Sequence, residues 1–501
     1  MILSFPRKQY LSIGRSLRWS STSSSNNLPL CVKDILQINT NSTPVQLNGW
    51  IDSYRLSKNV AFLDIVDGTT SESVQCVVRP PSLLPKNIKS GSSVKIDGLW
   101  CEGRGKQNFE LQVSDKNNTG NSKPASIEIM GTVTDLFPMI NKNHTNKFLR
   151  GIPEYRLKNP SLSALLRFRS QVETTLVNFF DSQNFTKTHP PLITASDCEG
   201  AGELFKIESA SKIPKNEKFF GKDAFLTVST QLHLEVLSAA LNRVWTLTPC
   251  FRAEESDTNR HLSEFWMLEA EIAFIDDVNQ LTNFAELMIK SVVLNLTNNH
   301  NNMGTNLINT VDKSLVDIMK NRWNMLLSKK WNSITYTEAI KIIQNHYDNE
   351  NNTAEFTIRP NWGDSLQSQH EKWLAGEYFQ NPIFVTDYPL AEKAFYMKIN
   401  EPGRDGELDK TVACFDLLVP EIGELIGGSV REYDLTKLTE EINRRNMDIT
   451  PLQWYLNLRE NGSVPHGGFG MGFERLLQYL SCTNNIREVI PFPRSANNCL
   501  C

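Results

Sequence analysis

The stretch that decides the fold is Phe251-Arg252-Ala253-Glu254, followed after a polar loop by Arg260-His261-Leu262-Ser263-Glu264-Phe265-Trp266-Met267-Leu268-Glu269-Ala270-Glu271. It predicts a strand, a charged loop and a return strand, with Arg252 and Glu254 on one strand face at a period of two residues. An arginine on a strand can bind a phosphate through two parallel hydrogen bonds. The loop residues Arg260 and His261 can reach outer phosphates, and Phe265 offers a flat ring for a purine. A hairpin with solvated charges is the alternative, but this spacing favours a nucleotide site.

A second segment supports the first. Glycines at 468, 470 and 472 alternate along one predicted strand face, so that a base or a phosphate can approach the backbone. Arg475 follows at the start of a predicted helix, where its charge adds to the helix N-terminus in facing phosphate. Such alternation is weak support alone and strong support beside Arg252.

Length and composition bound the architecture. The chain has 501 residues, which favours two or three domains. It is 40% apolar and 22% charged, as ordinary globular proteins are. No apolar run approaches the roughly 20 residues that cross a bilayer, so no membrane association is expected. Because the formal net charge is −4, any polyanion must be bound by a local patch.

The N-terminal 28 residues differ from the rest of the chain. They contain Arg7, Lys8, Arg15 and Arg18 and a run of serines, with no acidic residue before Asp34. This composition is typical of a mitochondrial transit peptide, with a plain disordered tail as the alternative. We therefore predict a presequence over residues 1–28 and a mitochondrial matrix location.

The remaining sequence predicts two domains. Short alternating segments over residues 29–125 predict five strands in a small closed barrel, although another small β-domain would show the same periodicity. Polar residues 126–152 are expected to form a linker. A larger domain is predicted over 153–501, with amphipathic helices at 161–182 and 278–295. A helical insertion is expected at about 275–380, with no chemistry assigned to it.

In chain order, the segments 190–205, 251–271 and 416–476 resemble motifs 1, 2 and 3 of class II aminoacyl-tRNA synthetases. The resemblance covers essentially everything after the presequence. It is closest to subclass b, which joins a small N-terminal barrel to the catalytic domain in the asparaginyl, aspartyl and lysyl enzymes. Residues 192–205 and 490–494 resemble the asparaginyl enzymes in particular. The resemblance implies an α+β fold, in which a five-stranded OB-fold barrel precedes an antiparallel sheet flanked by helices, and a homodimer with motif 1 at its interface.

The resemblance also implies an ATP site. Arg252 would bind the α-phosphate and Arg475 the γ-phosphate, and Phe265 would stack on adenine. Further nucleotide contacts would come from Glu254, Arg260 and His261. Mg²⁺ would be held by Glu424 and Asp416. The amino-acid carboxylate would attack the α-phosphate, and tRNA would then attack the adenylate, so catalysis is mostly positioning and charge neutralisation.

Two positions favour asparagine as the substrate. Arg431 matches the arginine that meets the side-chain oxygen in the aspartyl and asparaginyl enzymes, and it disfavours lysine. Leu234 stands where the aspartyl enzymes carry a lysine, so a cation that would offset a substrate carboxylate is missing. Asparagine–tRNA ligase is the expected activity, and the alternative is an aspartyl-tRNA synthetase, including one that charges both tRNAs. A catalytically inactive RNA-binding relative is disfavoured by the retained arginines, and a tRNA-independent amide-forming enzyme by the barrel.

Other residues are assigned to the amino acid and the tRNA by the same resemblance. Glu199 would receive the α-ammonium group. Further contacts with the amino acid are assigned to Ser229 and Gln231. The side-chain NH₂ group of asparagine also requires an acceptor, which either Glu264 or Glu269 can supply. On the barrel, tRNA(Asn) would be read at the anticodon by Arg55, Phe62 and Gln75, with a core position for Phe62 as the alternative.

Overall fold

The computed structural model describes residues 28–103, 105, 107–115, 124–140, 144–195, 204–209, 218–255, 258–297, 307–349, 357–401 and 410–501. Residues 1–27 of the predicted presequence, and Glu199, lie outside the described residues. The chain divides into two compact units, residues 1–137 and 138–501. Among the helices in the described ranges, none is both long and apolar enough to cross a membrane.

The N-terminal unit contains the predicted five-stranded barrel. The strands pair in the order β1-β2-β3-β5-β4, and β4 pairs again with β1, which closes the barrel. A short helix, α1 (Val32–Ile35), precedes them. The strands are β1 (Thr43–Leu56), β2 (Ala61–Val66), β3 (Val74–Arg79), β4 (Ser93–Glu102) and β5 (Phe109–Ser114).

Alternation along β2 separates the barrel core from its outer face. Ala61, Leu63 and Ile65 are fully buried, whereas Phe62 is only partly buried and does not belong to the core. Successive strand residues point to opposite faces, so Phe62 lies on the outer surface of the barrel. The alternative that placed Phe62 in the core is therefore wrong.

A sixth strand lies beyond the predicted barrel boundary. Strand β6 (Ser126–Gly131) pairs antiparallel with β4, and Ile127 and Ile129 pack against the barrel core. The predicted linker 126–152 therefore begins with a strand of the barrel sheet. The sequence did not predict this strand, because its alternating Ile-Glu-Ile segment is short and is preceded by a polar segment rich in Asn, Lys and Ser.

The C-terminal unit is built on an eight-stranded sheet of order β12-β13-β14-β15-β16-β11-β10-β7. All its neighbouring strands are antiparallel except the pairs β7–β10 and β12–β13. This is the expected antiparallel sheet. Its strands are β7 (Thr186–Lys187), β10 (Arg243–Phe251), β11 (Glu264–Ala273), β12 (Asn332–Thr335), β13 (Ile383–Thr386), β14 (Cys414–Val419), β15 (Gly423–Val430) and β16 (His466–Gly472), and a separate hairpin is formed by β8 (Ile193–Thr194) and β9 (Phe225–Leu226).

Helices flank this sheet, and the two long helices fall where their apolar periodicity predicts them. Residues of both pack into the main core with the sheet. The helices are α2 (Asn146–Arg150), α3 (Pro153–Arg156), α4 (Pro160–Ser182), α5 (Gln231–Leu241), α6 (Val278–Thr297), α7 (Lys313–Ser328), α8 (Tyr336–Asn349), α9 (Ser368–Trp373), α10 (Leu435–Arg444), α11 (Gln453–Glu460) and α12 (Phe473–Ser481).

The predicted insertion at 275–380 is not purely helical. Strand β12 lies within it and pairs parallel with β13 at one edge of the sheet. Helix α9 also lies within it, and this helix packs against the central strands β14 and β15. The insertion thus contributes a strand to the main sheet and a helix packed against it, and is not an addition to the surface.

Candidate active site

A cavity of about 220 Å³ lies beside β11, β16 and the start of α12. It collects most of the residues predicted to bind the nucleotide. Its lining includes Arg252, Glu254, Arg260, His261, Phe265, Glu424, Gly470, Gly472 and Arg475.

Arg252 enters this cavity from just beyond a strand. Strand β10 ends at Phe251, and the Arg252 backbone N–H donates to the carbonyl of Ser263 at 3.0 Å. The guanidinium carbon lies 5.5 Å from the centre of the Phe265 ring. The prediction that Arg252 and Glu254 lie on a strand is wrong, because both follow its end, but the hairpin still places Arg252 against Phe265.

Arg475 faces the same cavity from the first turn of α12. Its Nη1 donates to the carbonyl oxygen of Glu424 at 3.2 Å and lies 3.9 Å from the Glu424 carboxylate. Gly472, one residue before the helix, packs beside the arginine stem, since a Cβ there would make ordinary contact with Arg475 Cγ at 3.6 Å. The two arginines predicted to hold opposite ends of a triphosphate therefore line one cavity.

The loop residues are held by contacts that the sequence did not indicate. Arg260 donates a hydrogen bond to the hydroxyl of Ser368, the first residue of α9. Burial, followed by the charge of Arg475, lowers the pKa of Arg260. His261 Nε2 lies 3.8 Å from a Glu254 carboxylate oxygen. Arg260 thus connects this loop to the insertion through Ser368.

A second cavity, of about 210 Å³, adjoins the first. Arg252, Met267, Glu424 and Gly470 line both, so the two spaces share a wall. The second cavity is also lined by Ser229, Gln231, Leu234, Glu269, Glu271, Lys393, Tyr396, Met397, Asp416, Gly427 and Arg431.

Acidic groups converge at the shared wall. Gly427 lies between two of them, because a Cβ at this position would lie 3.1 Å from Glu424 Oε1 and 3.4 Å from Asp416 Oδ1. The other oxygen of Asp416, Oδ2, accepts a hydrogen bond from Lys393 at 2.6 Å. Burial raises the pKa of Asp416, against the effect of Lys393.

A third carboxylate stands behind this pair. Glu371 of α9 accepts a hydrogen bond from the backbone N–H of Glu424 at 3.2 Å. Burial raises the pKa of Glu371 to about 7, and the charges of Glu424 and Asp416 add to this effect. The site thus contains more acidic groups than the sequence analysis assigned to it.

Arg431 forms the buried cation of the second cavity. Its Nε and Nη2 donate to the two oxygens of Glu271 at 3.1 and 2.9 Å, and its Nη1 donates to Ser429 at 2.7 Å. Burial opposes the charge, but Glu271 holds the pKa of Arg431 above its usual range. The pairing of parallel N–H groups with one carboxylate fixes the plane of the guanidinium.

Glu269 is the buried acceptor next to it. It accepts hydrogen bonds from the Ser229 hydroxyl and from both the backbone N–H and the hydroxyl of Thr230. Burial raises the pKa of Glu269, although these hydrogen bonds oppose the shift. Of the two glutamates predicted to meet a side-chain NH₂, Glu269 lines this cavity.

Glu264 lies elsewhere. It lines a different cavity, of about 290 Å³, together with Arg169, Trp266 and Arg494. Residues 264 and 269 are five positions apart on β11, so they fall on opposite faces of the strand. The structure therefore does not bring Glu264 to the predicted amino-acid site.

The part of the chain that carries these cavities matches a known family. Residues 153–496 match the tRNA synthetases of class II (D, K and N). The chain belongs to this family. Residues 45–117 match the OB-fold nucleic acid binding domain, which agrees with the closed barrel.

Relatives of this class II synthetase match almost its full length. The mitochondrial asparagine–tRNA ligase of Saccharomyces cerevisiae is 44% identical, covering 91% of this chain and 93% of the relative. The asparaginyl-tRNA synthetase of Homo sapiens is 40% identical, covering 94% of each chain. Among solved structures, asparaginyl-tRNA synthetase from Pyrococcus horikoshii complexed with asparaginyl-adenylate matches with a TM-score of 0.77 and 28% identity, covering 95% of this chain and 100% of that one.

The barrel of the synthetase carries its own cluster of predicted residues. Arg55 pairs with Phe62 across β1 and β2, and its guanidinium carbon lies 5.5 Å from the Phe62 ring centre. Gln75 pairs with Asp64 across β2 and β3, and its Nε2 donates to Asp64 at 3.5 Å. Phe62 and Asp64 are two residues apart, so all four side chains lie on one outer face.

Sequence reasoning missed several residues of the synthetase site. Glu371 and Ser368 come from the insertion, and Lys393 comes from a segment to which no motif was assigned. Glu271 lies on the return strand of the motif 2 hairpin, two residues after Glu269. This spacing already indicated that the two side chains lie on the same strand face and face the same cavity.

Proposed function

We propose that the chain is an asparagine–tRNA ligase, which activates L-asparagine with ATP and transfers it to the 3′ end of tRNA(Asn). The single observation that carries this proposal is the pair of adjoining cavities with Arg252 in their common wall. One cavity offers three arginines and an aromatic ring to a nucleoside triphosphate. The other offers buried polar groups to a small amino acid, and the relatives named above are asparagine–tRNA ligases.

In the proposed mechanism, asparagine presents its carboxylate to the α-phosphorus of ATP, and a P–O bond forms as pyrophosphate leaves. Arg252 contacts the α-phosphate from the shared wall, Phe265 stacks on adenine, and Arg260 and Arg475 bind the outer phosphates. These groups neutralise charge that develops on the phosphates, which is the main requirement of such a reaction. The terminal ribose hydroxyl of tRNA then attacks the acyl carbon and AMP leaves.

The acidic pair in the wall fits a magnesium ion. Glu424 Oε1 and Asp416 Oδ1 converge on the side-chain-free surface of Gly427, and carboxylate oxygens are the ligands that Mg²⁺ prefers. Bound there, Mg²⁺ would neutralise the phosphates of ATP. Lys393 occupies the other oxygen of Asp416 and holds this carboxylate in place.

The charge balance of the second cavity favours asparagine over aspartate. Arg431 is already neutralised by Glu271 and Lys393 by Asp416, and Leu234 supplies no cation. A second carboxylate, brought by aspartate, would stand near Glu269 and Glu271 without a free counter-charge, which is costly in a buried site. The carboxamide instead accepts from Arg431 and donates to Glu269 or Glu271.

The barrel and the N-terminus complete the proposal. The outer face with Arg55, Phe62 and Gln75 is proposed to bind the anticodon, since a partly exposed ring beside a cation can stack on an unpaired base. We further propose a homodimer, with the motif 1 segment at its interface, and location in the mitochondrial matrix. The basic, serine-rich N-terminus and three relatives named as mitochondrial support that location.

Pyrophosphate exchange tests the activity directly. The chain without residues 1–27 is expected to incorporate labelled pyrophosphate into ATP when asparagine is present and far more slowly with aspartate. Charging of a tRNA(Asn) transcript tests the second step. Aspartate-dependent exchange as fast as the asparagine-dependent reaction would show that the aspartyl alternative is correct.

A further inference from the structure

We propose that Glu235 is a positioning residue, which orients the side-chain amide of Gln231 so that its oxygen accepts a hydrogen bond from the α-ammonium group of asparagine. The inference deepens the proposed function and rests on it, because Gln231 lines the cavity assigned to the amino acid. Glu235 itself does not line that cavity.

The amide of Gln231 is oriented by a hydrogen bond to the carboxylate of Glu235. Gln231 Nε2 donates to Glu235 Oε1 at 3.1 Å, one helical turn away on α5. An ionised carboxylate only accepts hydrogen bonds, so it selects the NH₂ end of the amide and rejects the oxygen end. The Gln231 oxygen is thereby left as the acceptor that a substrate ammonium group requires.

Glu235 is well suited to hold one orientation, because two donors and a histidine ring surround its second oxygen. Oε2 accepts hydrogen bonds from Arg459 Nη2 at 2.6 Å and from the Tyr455 hydroxyl at 2.8 Å. It also lies 3.0 Å from His466 Nε2. Its side chain is fully buried. Burial raises the pKa of Glu235, but Arg459, with the hydrogen bond from His466, lowers it below its usual range.

The positive charges around Glu235 exclude the alternative that it belongs to a metal site. Glu235, Glu271 and His466 lie close enough together to hold a metal ion. However, Arg459 is paired with Glu235, and Arg431 is paired with Glu271. With two guanidinium groups in place, a cation would be repelled, and the cluster instead serves as a support beneath the amino-acid cavity.

The test compares two ligands that differ only in the group concerned. Asparagine carries the α-ammonium group, and succinamate is the same molecule without the amino group. In the wild-type chain, we expect asparagine to support pyrophosphate exchange and succinamate to be a weak competitive inhibitor of it. Glu235→Gln lets the amide of Gln231 face either way, and we expect the KM for asparagine to rise roughly tenfold or more. The kcat and the inhibition constant of succinamate are expected to change less than about threefold, because the lost contact is one of ground-state binding.

Two further variants sharpen the test. Gln231→Met removes the amide, and it should reduce the preference for asparagine over succinamate as strongly as Glu235→Gln does. The double variant, Gln231→Met with Glu235→Gln, should show no further loss of that preference. Glu441→Gln is the matched control, since Glu441 is also buried and pairs with Arg444 and Arg445 away from the cavity residues. It should lower thermal stability and leave the preference unchanged.

The proposal is overturned if folded Glu235→Gln keeps the wild-type preference, or if it weakens asparagine and succinamate equally, as a purely structural role requires. Should Glu235→Gln fail to fold, Glu235→Asp keeps the charge beside Arg459 while shortening the reach to Gln231, and it must show the same selective change. A wild-type chain without asparagine-dependent exchange would instead contradict the proposed function.

Discussion

Arg431 and Glu271 face each other with parallel hydrogen bonds of 3.1 and 2.9 Å, above the glycine-rich strand β16. Gly468 of β16 is paired with Glu271 of β11 on one side and with Ser429 of β15, two residues before Arg431, on the other. A Cβ at position 468 would lie 2.1 Å from Glu271 Oε2 and 2.2 Å from the Ala270 carbonyl oxygen. This glycine is therefore required by the buried ion pair and the adjacent backbone.

We expect Gly468→Ala to lower the free energy of unfolding by about 1–3 kcal/mol, because neither the backbone carbonyl nor the paired carboxylate can move without cost. Thermal or denaturant unfolding measures the change. Gly470→Ala is the control on the same strand, where the nearest atom to the new Cβ would be 3.7 Å away. It should unfold like the wild type but lose exchange activity, since Gly470 lines both cavities. Equal stability of the two variants would contradict this expectation.

Arg252→Ala is expected to reduce asparagine-dependent pyrophosphate exchange by a factor of roughly 10²–10³, since it removes a cation placed where charge develops in the transition state. Circular dichroism should show an unchanged fold. Arg243→Ala, at the opposite end of the same strand, is the control and should keep the wild-type rate. Retained exchange in Arg252→Ala would overturn the assignment of this residue.

Ser368→Ala is expected to raise the KM for ATP about 2- to 10-fold, because one hydrogen bond to the loop residue Arg260 is lost. The KM for asparagine should change little. Ser365→Ala, which removes a nearby hydroxyl bonded to Glu392, is the matched control. If both serine variants show the wild-type KM for ATP, the contact seen in the structure does not hold the loop during nucleotide binding.

Glu371 makes stability depend on pH in a defined window. Its pKa is about 7 in the folded chain and 4.5 ordinarily, so between these values the folded chain keeps a proton that the unfolded chain has released. Its contribution to the free energy of unfolding therefore falls as pH rises from about 4.5 to 7. Glu371→Gln removes this penalty and should be more stable than the wild type above pH 7, by up to about 3 kcal/mol, and similar to it below pH 4.5.

Denaturant unfolding at pH 5, 6, 7 and 8 measures the difference between Glu371→Gln and the wild type. Glu377→Gln, at an exposed position just after the same helix, is the control. A difference that stays constant from pH 5 to 8 would show that Glu371 does not titrate in this window.

Phe62→Ala is expected to raise the KM for tRNA about 5- to 100-fold, because stacking of one base on an aromatic ring contributes roughly 1–3 kcal/mol. Pyrophosphate exchange, which does not need tRNA, should proceed at the wild-type rate. Aminoacylation of a tRNA transcript measures the first quantity. An unchanged KM for tRNA would place anticodon contact elsewhere on the barrel.

The sequence predicted best what is encoded locally. A hairpin positions Arg252 and Phe265, and a strand positions the glycines of β16, and the sequence pattern predicts both elements. Pairing of these strands then brings the residues to one cavity. The barrel strands were predicted for the same reason. Strand β6 was not, because its stability comes from pairing with β4, which lies far away in the sequence.

Residues supplied by distant segments were not predictable. Glu371 and Ser368 sit on a six-residue helix of ordinary polar composition, where a glutamate normally indicates a solvated face. Only the packing of α9 against β15 brings them to the cavity. Glu264 shows the opposite error, because a plausible residue type in the right motif was placed on the other face of its strand.

The wall shared by the two cavities has a thermodynamic consequence. Because Arg252 and Glu424 border both spaces, occupancy of one space changes the electric field felt in the other. Such coupling is reciprocal at equilibrium: whatever factor a non-hydrolysable ATP analogue imposes on the affinity for asparagine, asparagine must impose on the affinity for that analogue. Binding of ATP and binding of asparagine are thus expected to be thermodynamically linked, because the two cavities have this wall in common.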